Sequence, residues 1–199
     1  MAAVRAELEA KHEAREGALK LCRVTIQTCS KAIKCVHRGE FDSAAGHVAE
    51  ARELAARSRR TVAEHGDLLY AGYIQDSEKE MVEAALTFAM VRGGDLPSAS
   101  ELGVSASTYL NGAGEAASEL RRYLLDRLRH GDVGEAERAL GLMESVYQEL
   151  TTFDFPDSVT GGLRRTCDAL RAVLERTRSD VTMTVVQKQL IDELHAARA

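Results

Sequence analysis

The chain has 199 residues, of which 45% are hydrophobic and 29% are charged, and this is enough for one domain with its own hydrophobic core. We therefore predict a single domain covering residues 1–199. The formal net charge of −5 argues against a uniformly basic nucleic-acid-binding surface, so any nucleic-acid site must be a local patch on an otherwise acidic protein.

Nothing in the sequence points to a membrane or to a zinc site. The longest apolar run, residues 84–91, is far shorter than the roughly 20 residues that a membrane-spanning helix needs. No signal-peptide pattern opens the sequence. The cysteines include no Cys-x-x-Cys pair, and no histidine stands at zinc-finger spacing from them, so we interpret them as free thiols. We expect a soluble, cytoplasmic protein with no membrane partner.

Helix is predicted nearly throughout, because the chain has only 2 prolines and 5% aromatic residues, and no alternating segment is long enough for a strand. The first three predicted helices cover about residues 4–36, 41–64 and 67–90. Gly39 suits a left-handed cap at the end of the first. The third is mostly apolar and ends before the glycine- and proline-containing segment at residues 92–97.

Four more helices are predicted, covering about residues 106–130, 133–151, 157–178 and 180–194. Ser105 and Asp180 are the expected N-caps of the first and last of these, because their side-chain oxygens can accept from the free N–H groups of a helix start. The Gly131-Asp132 turn separates the first two. The predicted fold class is therefore all-α, a bundle of seven helices.

The third predicted helix carries two glutamates in an apolar setting. Glu83 lies between the apolar residues 81–82 and 84–86, so this helix is apolar nearly all round, as buried helices are. A buried carboxylate is costly unless it is paired, protonated or bound to a cation. Glu80 lies three residues earlier, so the two side chains point to one side, about one turn apart. A pair in this arrangement can share a divalent ion.

A second pair, Glu115 and Glu119, lies at i and i+4 in a run of small residues. Like charges at this spacing repel by a few tenths of a kcal/mol. Small neighbouring residues let another helix approach closely, and a cation held between helices would remove the repulsion. Together the four carboxylates form a hard oxygen-donor set suited to Mg²⁺ or Mn²⁺, which can activate water and neutralise charge on a phosphodiester.

Two other interpretations of the glutamates stay open. The chain holds 31 acidic residues and many arginines, so these glutamates can be ordinary surface or salt-bridged residues. A di-iron helical bundle also uses inward-facing carboxylates, but it needs Glu-x-x-His pairs. Neither Glu80 nor Glu115 is followed by a histidine three residues later, which disfavours the di-iron bundle.

Several segments together carry a family resemblance. They are Tyr109-Leu110, Gly112, Ala117-Ser118-Glu119-Leu120 with Arg122, the Gly131-Asp132 turn, the stretch at residues 14–39, and residues 155–180, which read FPDSVTGGLRRTCDALRAVLERTRSD. In these segments the sequence resembles the translin / translin-associated factor X family over nearly its whole length. The last segment is especially similar to the short archaeal members.

The resemblance implies a seven-helix translin-type fold and self-association into a closed, octamer-like shell of identical subunits. It also implies that single-stranded RNA or DNA binds inside this shell. Glu80 and Glu83 match the Glu-x-x-Glu of the catalytic, factor-X-like branch. Glu115 stands where that branch has an aspartate, and it adds one methylene. Glu119 matches a glutamate that non-catalytic members also have, so it is a structural residue or a partner behind the metal ligands.

We therefore expect a Mg²⁺- or Mn²⁺-dependent endoribonuclease whose catalytic residues are Glu80, Glu83 and Glu115, with Glu119 completing the metal site. One or two ions would bind the scissile phosphate and generate hydroxide for in-line attack. The alternative is a non-catalytic shell that binds RNA or DNA, in which the glutamates neutralise buried arginines. A scaffold that binds only protein is a third and more distant interpretation.

Basic side chains supply the candidate RNA-binding surface. The predicted nucleic-acid-binding residues are Arg15, Arg23, His37, Arg38, Arg164, Arg165, Arg171 and Arg178, with residues 57–60 as a further basic segment. On the predicted helix at 157–178, arginines alternate with acidic residues on one face, so intrahelical ion pairs are the competing interpretation. Few aromatic side chains are available for base stacking, which favours contacts with the RNA backbone.

Overall fold

The structure is a computed structural model that describes residues 1–198. Within this range the regular elements are α-helices: α1 (Ala2–Arg38), α2 (Phe41–Thr61), α3 (Gly66–Leu69), α4 (Gly72–Arg92), α5 (Ala99–Leu102), α6 (Ala106–Arg129), α7 (Val133–Leu150), α8 (Asp157–Thr160) and α9 (Leu163–Ala196). Three of them, α3, α5 and α8, are single turns of four residues. No helix in the described range is both long enough and apolar enough to cross a bilayer. The predicted all-α class is confirmed.

Backbone contacts group the chain into two compact units, Met1–Ala113 and Gly114–Ala199. In the first unit α1 packs along α2 and α4, and these two helices also contact each other. In the second unit α7 packs along α9. The boundary between the units falls within α6, which is one continuous helix. That residues 1–199 form a single domain stays a prediction.

Small side chains on α1 hold the first unit together. Ala18, Cys22, Cys29 and Ala32 are buried on this helix at intervals of three, four or seven residues, which places them on one face. Because these side chains are short, the neighbouring helices can approach the α1 backbone closely. The cysteines are free thiols, as predicted, and Cys22 and Cys29 are the two that are buried.

Two predicted helix ends are confirmed by their hydrogen bonds. Gly39 ends α1 with a φ of 73°, in the left-handed region that glycine adopts without strain. Its N–H donates to the Val36 carbonyl at 3.0 Å. At the start of α6, the Ser105 hydroxyl oxygen accepts from the backbone N–H of Thr108 at 3.2 Å, which is the N-cap bond expected there.

The predicted third helix, residues 67–90, is in fact interrupted. Ala71 has an extended backbone with φ −70° and ψ 141°, which separates α3 from α4. The interruption lets both Leu68 and Ile74 enter one hydrophobic cluster with Ala18, Cys22 and Val62. Burial of two large side chains therefore outweighs the continuation of one helix, and a local pattern does not reveal this.

The predicted N-cap at Asp180 is wrong. α9 runs without interruption from Leu163 to Ala196, and the Asp180 carboxylate accepts instead from Arg121 of α6 at 2.8 Å. The break in this region lies earlier, at Gly161 and Gly162, where φ is 63° and 85°. The predicted helices at 157–178 and 180–194 are thus replaced by the short α8 and the long α9. Glycine adopts a positive φ without strain, so the chain breaks between α8 and α9 at Gly161 and Gly162. Asp180 lies inside α9 and starts no helix.

The single turn α5 was missed by the sequence prediction, although a signal for it was present. Ser98 and Glu101 form a capping box, in which the Ser98 hydroxyl oxygen accepts from the Glu101 N–H and the Glu101 carboxylate accepts from the Ser98 N–H. The Ser-x-x-Glu spacing predicts such a helix start.

A buried ion pair joins α2 to α4. Glu78 is 2% exposed, and its two carboxylate oxygens accept from the Nε and Nη2 atoms of Arg59, both at 2.8 Å. Burial raises the pKa of Glu78, while the Arg59 guanidinium acts in the opposite direction. Paired donation from a guanidinium satisfies both oxygens, which is what a carboxylate in the interior requires.

Gly112 marks the closest approach of α6 to α4 within the first unit. A Cβ atom at this position would lie 2.7 Å from Val82 Cβ and 3.0 Å from the Lys79 carbonyl oxygen. A real side chain cannot be accommodated at such distances without a shift of the helices. The sequence predicted that small residues here let another helix approach closely, and at Gly112 that helix is α4.

We predict that Gly112→Ala destabilises the protein by about 1–3 kcal/mol, because the new methyl group would overlap α4. Urea unfolding measures this change. Gly46→Ala in α2 is the matched control: a Cβ there meets nothing within 4 Å. The control should stabilise its helix by about 0.5–1 kcal/mol. The same free energy of unfolding for both variants would contradict the close contact.

We also predict that Arg59→Met lowers the free energy of unfolding by about 3–5 kcal/mol, because it leaves Glu78 buried without its cation. The double variant Arg59→Met/Glu78→Met should recover most of the loss. Arg60→Met is the control, since Arg60 pairs with Glu53 on the exposed surface. There we expect a change below about 1 kcal/mol. Similar losses in Arg59→Met and Arg60→Met would show that the buried pair has no special role.

Candidate functional site

Glu80 and Glu83 both lie on α4, in the first unit, and both are half-buried. The residues around them on the helix, Met81, Val82 and Ala84, are buried, so the carboxylates stand at the edge of the apolar interior. The predicted apolar setting is confirmed. Glu83 is less deeply buried than its sequence neighbours suggested, and the fully buried carboxylate of α4 is Glu78.

The negative charge of this pair reaches α1. Cys29 of α1 is fully buried, and its burial, together with the nearby Glu80 and Glu83 carboxylates, raises the pKa of its thiol to about 12. The thiol therefore stays protonated at neutral pH in the absence of a metal ion. The available donor atoms are the carboxylate oxygens, which are of the kind that Mg²⁺ and Mn²⁺ prefer.

Glu115 and Glu119 lie on α6, and both are half-buried. Glu115 is three residues beyond Gly112, so the two residues share a face of the helix. Glu119 follows one turn later. The predicted i, i+4 arrangement is thus present on a continuous helix.

The basic residues fall into two groups. Three of the predicted RNA-binding arginines have an acidic partner: Arg15 with Glu16 at 2.6 Å, Arg171 with Asp168 at 3.4 Å, and Arg178 with Glu144 of α7 at 2.6 Å. All seven predicted arginines are exposed, including Arg23, Arg38, Arg164 and Arg165, whereas His37 is half-buried near the end of α1. In the further basic segment at residues 57–60, Arg59 and Arg60 bind Glu78 and Glu53. Contact of any of these residues with nucleic acid stays a prediction.

The second unit contains a pocket that the sequence did not reveal. It has a volume of about 350 Å³ and is lined by residues from α7, the following loop, α8 and α9. Its lining includes Tyr147, Phe153, Phe155 and the side chain of Arg164. Phe155 is 60% exposed. The lining also includes the carboxylates of Asp154 and Asp168, so the pocket carries charges of both signs.

Comparison with known proteins gives both sequence and structural relatives. No family model matches the sequence. An uncharacterised protein of Methanocaldococcus jannaschii is 29% identical over 189 residues, which cover 92% of this chain and 82% of that protein.

Three solved structures share the fold. AfC3PO is 33% identical, with a TM-score of 0.87 over 94% of this chain and 97% of that chain. AfC3PO in a complex with duplex RNA is 32% identical, with a TM-score of 0.85 over 94% and 96%. Apo-NeC3PO is 22% identical, with a TM-score of 0.83 over 91% and 95%, and at that identity it supports the fold alone.

The resemblance found in the sequence is therefore matched by relatives of known structure across nearly the whole length of both chains. AfC3PO is an archaeal translin-like protein. The chain belongs to the translin / translin-associated factor X family.

Proposed function

We propose that this protein binds RNA and cleaves it as a divalent-metal-dependent endoribonuclease. The observation that carries the proposal is the half-buried pair Glu80 and Glu83 at the edge of an otherwise buried helix. Two carboxylates one turn apart in a partly dehydrated setting repel each other, and a divalent cation removes that repulsion.

Glu115 belongs to the same proposed ligand set. It shares a face of α6 with Gly112, and Gly112 is the residue at which α6 touches α4 beside Val82 and the Lys79 carbonyl. Glu80, Glu83 and Glu115 are all half-buried, and each can offer one carboxylate oxygen to an ion. Glu119, one turn further along α6, supports Glu115 in this proposal and completes the set.

The chemistry of these donors fits Mg²⁺ or Mn²⁺. Both ions prefer oxygen ligands over the sulfur of a neighbouring thiol such as Cys29. A bound ion of this kind neutralises phosphate charge and makes water a better nucleophile. The protein's own part in this proposal is to carry the carboxylates on the regular helices α4 and α6 rather than on loops.

RNA is the proposed substrate, and the chain itself offers arginines for its phosphates. AfC3PO has been solved with duplex RNA, and this chain is 32% identical to it. We propose single-stranded RNA as the form that is cut, with single-stranded DNA as a further ligand. We also propose that copies of the chain associate into a closed, octamer-like shell around the nucleic acid.

A second function, nucleic-acid binding without cleavage, is favoured by one observation. Glu78 shows that a carboxylate of α4 can be compensated by an arginine alone, through the bonds to Arg59. If Glu80 and Glu83 are likewise structural, the protein is a binding shell. Metal dependence distinguishes the two functions.

We predict that labelled single-stranded RNA is cleaved in Mg²⁺ or Mn²⁺ and left intact in EDTA. The Glu80→Gln/Glu83→Gln variant should lose at least about 100-fold in rate, because the ion contributes several kcal/mol to the barrier. Gel electrophoresis of the products measures this, with duplex RNA run in parallel.

The control for this experiment removes two other carboxylates, in the variant Glu64→Gln/Asp76→Asn. Both residues are exposed, and Asp76 lies on the same helix as the proposed ligands. Light scattering must show the same assembly for all three proteins. RNA that binds but is never cut with either ion would make the protein a binding shell.

We further predict that Arg164→Gln/Arg165→Gln weakens RNA binding at all sequences and lowers the salt dependence by about one unit of slope per lost phosphate contact. Filter binding at several salt concentrations measures both quantities. The control is Arg60→Gln/Arg129→Gln, since these arginines are paired with Glu53 and Asp126. Equal weakening by the two double variants would mean that affinity depends only on total charge.

A further inference from the structure

Thr87 of α4 is a buried residue whose hydroxyl group has no partner. The residue is 0% exposed, and its Oγ1 atom makes no hydrogen bond. A buried hydroxyl without a partner costs about 1–3 kcal/mol, and such groups are few in folded proteins. Packing alone would be served better by valine, which has the same shape and no hydroxyl. The threonine at this position therefore calls for a chemical reason.

Three other buried hydroxyls on the helices are satisfied by a carbonyl of their own helix. Thr25 donates to the Leu21 carbonyl at 3.0 Å, Ser58 to Ala55 at 2.8 Å, and Ser77 to Ile74 at 2.9 Å. Threonine in a helix has two accessible rotamers, and one of them makes this bond. Thr87 makes none, so its hydroxyl is available to another group.

The position of Thr87 on α4 suggests which group this is. It lies four residues after Glu83 and seven after Glu80, so the three residues follow one stripe of the helix. Helical side chains lean towards the N-terminus of the helix, so the Thr87 side chain extends over the turn that carries Glu83. The hydroxyl stands at the buried end of the stripe, and the two half-buried carboxylates stand towards its other end.

We propose that Thr87 is a positioning residue for the Glu83 carboxylate in the metal-bound protein. The Thr87 hydroxyl donates to Glu83, directly or through one ordered water, and fixes the orientation in which Glu83 binds a divalent cation. Carboxylates that bind metals are themselves hydrogen-bonded, and removing such a partner typically lowers metal affinity by about 10–100-fold. This inference rests on the proposed metal site.

The test compares Thr87→Val and Thr87→Ser with the wild-type protein in two measurements. One is a Mn²⁺ titration followed by the electron paramagnetic resonance of free Mn²⁺. The other is thermal unfolding in EDTA. Thr87→Val should bind Mn²⁺ roughly 10-fold more weakly. Its Tm in EDTA should be equal to or higher than that of the wild type, because the hydroxyl without a partner is gone. Thr87→Ser should retain affinity close to wild type.

Thr25→Val is the matched control, because Thr25 is an equally buried threonine whose hydroxyl is already bonded within its own helix. It should leave Mn²⁺ affinity unchanged. Wild-type affinity in Thr87→Val would overturn the inference, and so would equal weakening in Thr87→Ser together with a lowered Tm. If Glu80→Gln/Glu83→Gln binds Mn²⁺ as the wild type does, the metal site itself is wrong, and the role of Thr87 falls with it.

Discussion

The first unit of this protein depends on how the negative charges of the carboxylates on an apolar helix are balanced. α4 is buried on most of its surface, yet it carries Glu78, Glu80 and Glu83 within six residues. Glu78 is compensated by the two bonds from Arg59, which also tie α2 to α4. Glu80 and Glu83 stand at the edge of the interior, where their negative charge adds to the effect of burial and raises the pKa of the Cys29 thiol further. Two carboxylate environments therefore exist on one helix, a closed one that holds the fold and a partly open one that can hold a ligand.

Close packing of the helices limits how far Glu80 and Glu83, the partly open carboxylate pair, can move. The face of α1 against its neighbours is built from Ala18, Cys22, Cys29 and Ala32, and α6 meets α4 at Gly112. Because Gly112 has no side chain, α6 lies directly against Val82 and the Lys79 carbonyl of α4. Residues carried on such helices cannot shift far without overlap of backbone atoms. Glu80 and Glu83 consequently stand on a helix that is held tightly within the first unit, which a loop would not provide.

Much of this structure could be predicted from composition, periodicity and glycines. The all-α class follows from residue preference, and the caps at Gly39 and Ser105 follow from local chemistry. The interruption at Ala71 and the continuity through Asp180 could not be predicted, because each depends on partners distant in sequence: a shared cluster for Leu68 and Ile74, and Arg121 for Asp180. For the same reason Glu83 was expected to be the deeply buried glutamate, and Glu78 was not singled out. Spacing places residues on a helix face, but packing decides which face is buried.

The charge distribution links the two parts of the proposed function. The chain carries a net charge of −5, and several of its arginines are already paired with acids, among them Arg59, Arg171 and Arg178. Carboxylates at the candidate site repel a phosphodiester, so arginines elsewhere can attract RNA to the protein without bringing a phosphate to Glu80 and Glu83. A divalent cation on the carboxylates offsets two of their negative charges and can itself bind a phosphate oxygen. In the proposed function, the arginines would set the affinity for the RNA strand, and the cation would set whether a phosphate can approach Glu80 and Glu83.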